Sequence, residues 1–240
     1  MSGQFWKTSA ISLAALALAF ASPAAAGPMQ DFETELRQVY ADYRTALFAT
    51  NSADNAVTIK SLTSLTDKWS SLTRKWGAAA PPQYAEDPGF RKTLETVAAV
   101  TSQARGEADA GKLAAAHETL EKIRDELSDL RRRNGVIVFS DHMNAYHAQM
   151  EKILLGPIAA QDEKAQMALR EETAVLAYLF AAVAANPPAD KDAGFEPALK
   201  AVGDSIANLR KALESKTPAA IKAAIKALKP PYSRLFLKYG

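Results

Sequence analysis

The chain has 240 residues, of which 48% are hydrophobic and 23% are charged, with a formal net charge of +2 at pH 7. A charge so close to neutral argues against nucleic acid or an anionic membrane surface as the partner. Because there is no cysteine, the fold must be stabilised by its hydrophobic core without disulfides, and a chain of this length can bury such a core.

The first 26 residues have the pattern of a secretory signal peptide. A start that carries one charge, at Lys7, is followed by the apolar run "ISLAALALAF" and by an A-x-A signal, Ala24 and Ala26, before Gly27. A run of ten residues is too short to cross a bilayer, and the absence of a twin arginine favours the general secretory route. We therefore expect an exported chain without a membrane anchor, most simply in a bacterial periplasm.

Four amphipathic helices are predicted between residues 29 and 135. Apolar side chains recur there every three or four residues, which is the spacing of one buried helical face, and no stretch alternates with the period of a strand. Gly77 and the pair Asn134-Gly135 are stop signals, and Asp87-Pro88 is a start signal. The apolar positions are Phe32, Leu36, Val39, Tyr40, Tyr43 and Leu47; Leu62, Leu65, Trp69, Leu72 and Trp76; Phe90, Leu94, Val97 and Val100; and Leu113, Ala116, Leu120, Ile123, Leu127 and Leu130.

The only basic cluster is the run Arg131-Arg132-Arg133, just before Asn134-Gly135. Cations at the carboxyl end of a helix complement the helix dipole. The run is therefore interpreted as part of a helix end and not as a binding surface.

The same order of predicted helices and loops recurs in residues 136–240. A shift of 105 places Gly89-Phe90 on Gly194-Phe195, and the proline pairs Pro81-Pro82 and Pro187-Pro188 coincide at nearly the same shift. We predict an internal duplication: an all-α protein of two tandem up-down four-helix units, eight helices in all, covering residues 29–135 and 136–240. The pattern leaves open whether they form two bundles or one body. Pro230-Pro231 is expected to break or kink the last helix.

Each half resembles cytochrome c-prime and the soluble periplasmic b-type cytochrome that shares its four-helix bundle. The common features are a repeat of about 105 residues, a proline-bearing loop in the middle, and an aromatic and basic ending, "YSRLFLKYG". The resemblance implies a bundle that holds haem. Haem attachment through C-x-x-C-H is excluded because there is no cysteine, and the final turns "LRRRNG" and "LFLKYG" lack the histidine of the b-type branch. Met143 stands near the position of that branch's methionine ligand.

One stretch concentrates metal-binding side chains: residues 139–154, "FSDHMNAYHAQMEKIL", contain two of the three histidines and two of the five methionines. On a helix that turns about 100° per residue, Met143, Met150 and Glu151 lie within about 60° of His147. His142 falls on the other side of the apolar stripe. His117 could approach this face only if packing brought its helix there.

Two interpretations of this stretch remain open. Methionine is a common filler of helical cores, and a histidine at the edge of a stripe usually makes an ordinary hydrogen bond. Alternatively, Met143, His147 and Met150 form a soft donor set suited to monovalent copper, with His142 and Glu151 as further donors. Glu151 or Asp141 would then orient the imidazole or supply a harder ligand for iron.

The sequence carries no recognisable catalytic motif. There is no nucleophile elbow, no glycine-rich phosphate loop and no repeated Glu-x-x-His pair of a di-iron bundle. We therefore expect a binding protein and not an enzyme. It is either a carrier or sensor for a metal ion or small ligand, with copper ahead of iron and haem as a variant, or a cofactor-free adaptor for a protein partner in the cell envelope.

Overall fold

The computed structural model describes residues 27–156 and 163–240. These residues form α-helices and one 3₁₀ turn, Pro82–Tyr84, with no strand among them, which confirms the all-α prediction. The predicted signal peptide, residues 1–26, lies outside the described residues. The helices are α1 (Pro28–Asn51), α2 (Asn55–Trp76), α3 (Phe90–Asp109), α4 (Leu113–Arg133), α5 (Phe139–Leu155), α6 (Glu163–Ala185), α7 (Phe195–Ser215), α8 (Pro218–Lys226) and α9 (Lys229–Tyr239).

Helices α1 to α4 pack as a closed ring, in which α1 contacts both α2 and α4, and α3 contacts both α2 and α4. The apolar stripes predicted from the sequence supply its core. One end of the ring is filled by aromatic side chains: the Phe32 ring lies edge-on to Trp76 and to Tyr84, with centroid distances of 5.7 and 5.5 Å. Trp69 lies deeper and donates its indole N–H to the carbonyl oxygen of Leu94 at 2.9 Å. Both indoles are therefore core residues.

Helices α5 to α9 repeat this arrangement with one change. Helix α6 packs between α5 and α7, and α7 packs on both α8 and α9. Both α8 and α9 in turn contact α5, which closes the arrangement. The predicted last helix is divided into α8 and α9 at Ala227 and Leu228, just ahead of Pro230-Pro231. A proline ring cannot continue an α-helix through its preceding turn, so the expected break occurs there.

The two halves also begin their third helices in the same way. Asp87 accepts the backbone N–H of Gly89 at 2.8 Å, and Asp192 accepts that of Gly194 at 2.8 Å. Phe90 packs on Phe32 with ring centroids 5.8 Å apart, and the equivalent pair in the second half, Phe195 on Phe139, is 5.7 Å apart. These repeated contacts are compatible with the predicted duplication into two four-helix units. No helix in the described ranges is long and apolar enough to span a membrane.

A buried ion pair joins the halves where the chain passes from α4 to α5. The guanidinium of Arg131 donates to both carboxylate oxygens of Asp141, with Nη2 2.7 Å from Oδ1 and Nε 2.8 Å from Oδ2. Asp141 also accepts the hydroxyl of Ser128 at 3.0 Å and the backbone N–H of Val138 at 3.1 Å. Arg131 thus does more than complement a helix dipole, because it fixes the first turn of α5 on the last turns of α4.

A second arginine joins α1 to the end of α9. The buried side chain of Arg44 donates to the main-chain oxygens of Leu237 at 3.1 Å and Lys238 at 3.3 Å, and also to that of Gly240. The last carbonyls of a helix have no partner within the helix. Arg44 therefore donates hydrogen bonds to the last carbonyl groups of α9. Because α1 and α9 pack against each other, this contact also joins the two halves.

We expect the Arg131→Ala variant to lose about 3 to 5 kcal/mol of unfolding free energy, because the Asp141 carboxylate would be left without its cationic partner. The matched control is Arg132→Ala. Arg132 is 78% exposed against 3% for Arg131, and loss of an exposed ion pair costs about 1 kcal/mol or less. Urea denaturation of the two variants measures the difference, and equal losses would contradict the assignment.

Candidate ligand site at His147

Helix α5 turns its two methionines into the core. Met143 and Met150 are 1% and 0% exposed, and they alternate along α5 with the buried side chains of Phe139, Tyr146 and Ile153. Spacing of three and four places these five side chains on one helical face. The predicted inward face is therefore present, and both sulfur atoms belong to the packed core.

His147 lies at the edge of that face, against α9. Its ring stacks on the Tyr232 ring with centroids 5.2 Å apart and an angle of 23° between the planes. The Nε2 atom lies 3.7 Å from Oε1 of Glu151, one turn further along α5. The Nδ1 atom is buried and has no hydrogen-bond partner among the described residues. The Nδ1 atom of His147 is therefore shielded from water and has no hydrogen bond within the described residues to replace the lost hydration.

The surroundings of His147 keep its imidazole neutral. Burial is the main cause that lowers its pKa from 6.5 to about 4, and the positive charges of Arg124 and Lys229 and the ring of His117 contribute to the same shift. Removing an ionisable group from water disfavours its charged form, and neighbouring cations add to that effect. At neutral pH the ring therefore carries a lone pair, which is the form that binds a metal ion.

His147 faces a small cavity, of about 60 Å³, between the two halves. Glu151 lines it from the same helix, and α1, α4 and α9 complete its wall. His117 enters from α4, so the packing does bring the third histidine to the site. The charged residues that line the cavity are Arg44, Glu121, Arg124, Glu151 and Lys229.

The hydrogen bonds of His117 define its tautomer. Its Nδ1 atom lies 2.9 Å from the hydroxyl oxygen of Thr50, and that hydroxyl donates its own proton to the carbonyl of Leu47 at 2.7 Å. In this arrangement Nδ1 donates to Thr50, and the lone pair of Nε2 faces the side-chain amide of Asn51, whose Nδ2 atom lies 3.4 Å away. A hydrogen bond that orients the far nitrogen in this way is typical of metal-binding histidines.

His117 was not among the residues predicted for the site. Each of the two histidines in the cavity has a glutamate four residues later, Glu121 after His117 and Glu151 after His147, with His to Glu distances of 3.8 and 3.7 Å. This shared spacing is visible in the sequence and would have singled out His117. Only the packing of the two halves, through α1 and α9, places the two pairs at one cavity.

The five predicted site residues do not meet at one point. His147 and Glu151 line the cavity described above, His142 lines a separate cleft, and Met143 and Met150 lie in the core. Asp141, considered as a partner for the imidazole, is engaged by Arg131 instead. Within residues 27–156 and 163–240, no group of three or more His, Asp or Glu side chains is arranged to hold a metal ion.

Neither a family model nor a curated protein nor a solved structure matches this chain. The resemblance to the four-helix cytochromes consequently remains a prediction from the sequence.

We expect His147 to make folding pH-dependent. The unfolded chain takes up a proton near pH 6.5, whereas the folded chain resists protonation until about pH 4. Stability should therefore fall as the pH falls between these values, by an amount on the order of 3 kcal/mol. The measurement is urea denaturation of the native chain and of His147→Gln across this range. Their difference should shrink towards low pH, and parallel profiles would contradict the buried neutral imidazole.

Proposed function

We propose that this chain is an exported binding protein without catalytic activity, and that its ligand is held in the cavity shared by His147 and His117. One observation carries the proposal: two imidazoles from opposite halves line the same cavity, and His147 has a buried ring nitrogen without a partner. An unsatisfied buried polar atom costs about 1 to 3 kcal/mol, and a bound ligand would offset that cost.

The proposed ligand is a transition-metal ion, with monovalent copper ahead of iron. Imidazole nitrogen is a good donor for copper and iron, and His147 is neutral at pH 7 because its pKa is lowered to about 4. Arg124 and Lys229 add positive charge beside the ring, and Coulomb repulsion from them is weaker for a monovalent than for a divalent ion. Iron would rely more on the carboxylates of Glu121 and Glu151.

The two methionines are not assigned as the primary ligands in this proposal. Met143 and Met150 lie one turn on either side of His147, yet neither lines the cavity. The imidazoles are therefore assigned the first contact, and a thioether would join only after a change of side-chain rotamer. Haem is the weaker variant, because a cavity of about 60 Å³ is far smaller than the roughly 300 to 1,000 Å³ of pockets for organic ligands.

Titration of the purified protein with Cu(I), Cu(II), Fe(II) and haem tests this proposal. We expect saturable Cu(I) binding in the micromolar range, weakened about tenfold or more by His147→Ala and by His117→Ala. His142→Ala is the matched control, since His142 lies on the same helix but lines another cleft. Met143→Leu and Met150→Leu keep the core volume nearly constant and show whether sulfur contributes.

Two results would reject the metal proposal: no saturable binding of any of these ligands, or Cu(I) affinity unchanged in both histidine variants. The second candidate, a cofactor-free adaptor, would then be favoured. It has its own support on α6, where Met167, Val175 and Tyr178 are exposed, Tyr178 to 76%. Such a row of apolar side chains on the outer face of a helix is typical of a protein-binding surface.

Export to the periplasm is part of the same proposal and rests on residues 1–26. In a bacterial host we expect signal peptidase to release a mature protein that begins at Gly27, because Ala24 and Ala26 form its recognition site. Amino-terminal sequencing of the periplasmic fraction checks this. Ala26→Leu should retain the uncleaved chain at the membrane, and an uncleaved native chain in the cytoplasm would contradict the proposal.

A further inference from the structure

A second, larger cavity lies at the other end of the junction between the halves. It is a cleft of about 440 Å³, a size within the range typical of pockets for small organic ligands. Its walls are the first half of α1, the last turn of α4, the connection that leads into α5, the first turn of α5, the loop 186–189 and the end of α9. Residues from both halves are needed to form it, and it shares none of its lining residues with the His147 cavity.

One part of the cleft is apolar. Leu36 of α1, Val138 before α5 and the pair Pro187-Pro188 line it. Ile137 also lines the cleft and is 69% exposed to solvent. A bound apolar group would remove this surface from water, and each Å² of apolar surface buried contributes about 25 cal/mol.

The polar part of the cleft contains open donors and one carboxylate, Glu33, of which one oxygen is engaged. Glu33 accepts the Tyr84 hydroxyl at 2.8 Å and the Gln83 side-chain amide at 3.1 Å. Arg37 is different, because its guanidinium has one partner among the described residues, a single oxygen of Asp190 at 3.0 Å. The remaining N–H groups of Arg37 are not engaged within that part of the chain.

Two further donors line the same cleft. The imidazole of His142 makes no hydrogen bond or ion pair with any described residue, and the backbone N–H groups of Phe139 and Ser140 belong to the first turn of α5. First-turn N–H groups have no acceptor within their own helix, and the positive end of the helix dipole lies there. Together with Arg37, these groups give the cleft several hydrogen-bond donors that no described residue engages.

We infer that this cleft binds a small amphipathic carboxylate, with the carboxylate at Arg37 and His142 and the apolar body against Leu36, Ile137 and the Pro187-Pro188 loop. A planar guanidinium can bind a carboxylate with two parallel hydrogen bonds, which gives both affinity and orientation. The apolar wall distinguishes such a ligand from inorganic phosphate or sulfate. This site is independent of the metal proposed at His147.

Binding of 2-naphthoate and decanoate, measured by isothermal titration calorimetry, tests the inference, with 2-naphthamide as the uncharged analogue. We expect the carboxylates to bind saturably and Arg37→Gln to weaken them about tenfold while leaving 2-naphthamide unchanged. Asp190→Asn should strengthen carboxylate binding, because it releases Arg37 from its partner. Ile137→Asn should weaken the carboxylates and 2-naphthamide alike.

The controls separate this site from other effects. Arg91→Gln removes an exposed arginine that is paired with Glu95 at 3.2 Å on α3 and should change nothing. His147→Ala should weaken metal binding without affecting 2-naphthoate, so the two proposals can fail separately. The inference is overturned if neither carboxylate binds saturably, or if Arg37→Gln binds 2-naphthoate as tightly as the native chain does.

Discussion

The ion pair between Arg131 and Asp141 fixes the start of α5 on the end of α4, where the chain enters its second half. A guanidinium this deeply buried must keep its partner, since an uncompensated charge in the core costs several kcal/mol. Because Asp141 lies in the first turn of α5 and also accepts the backbone N–H of Val138, the pair fixes the position of that helix and its rotation about its own axis. That rotation sends Met143 and Met150 into the core, His142 towards one cleft and His147 towards another.

The junction between the halves is itself built from four helices, α1, α4, α5 and α9. Arg44 stabilises its far side by satisfying the last carbonyls of α9 from within α1. A closed bundle fills its own centre with apolar side chains, whereas a junction between two bundles leaves spaces at its ends. Both cavities of interest lie at those ends, and each needs residues from both halves. One half of the chain alone would therefore have neither cavity.

The two cavities differ in what they can bind because their polar groups differ. At His147 the ring is desolvated, stacked on Tyr232 and kept neutral, so its lone pair is available to a metal ion. In the larger cleft the donors of Arg37 and His142 face apolar surface, an arrangement that suits an anion with a hydrophobic body. In the two proposals, the same helices supply a nitrogen lone pair to a metal ion at one end of the junction and N–H donors to a carboxylate at the other.

The sequence by itself determined the helices and their inward faces, because the period of apolar residues is a local property that any buried helix must show. It also located the break before Pro230-Pro231 and the inward direction of Met143 and Met150. The approach of His117 to His147 and the separation of His142 from His147 were decided only by the tertiary structure. Residues 117 and 147 are brought to one cavity because α4 packs on α1, α1 packs on α9, and α9 packs on α5, and no spacing along the chain specifies a contact between two helices. The helical period shows on which face of a helix a side chain lies. The neighbouring helices decide whether that side chain contacts a cavity, a carboxylate or the core.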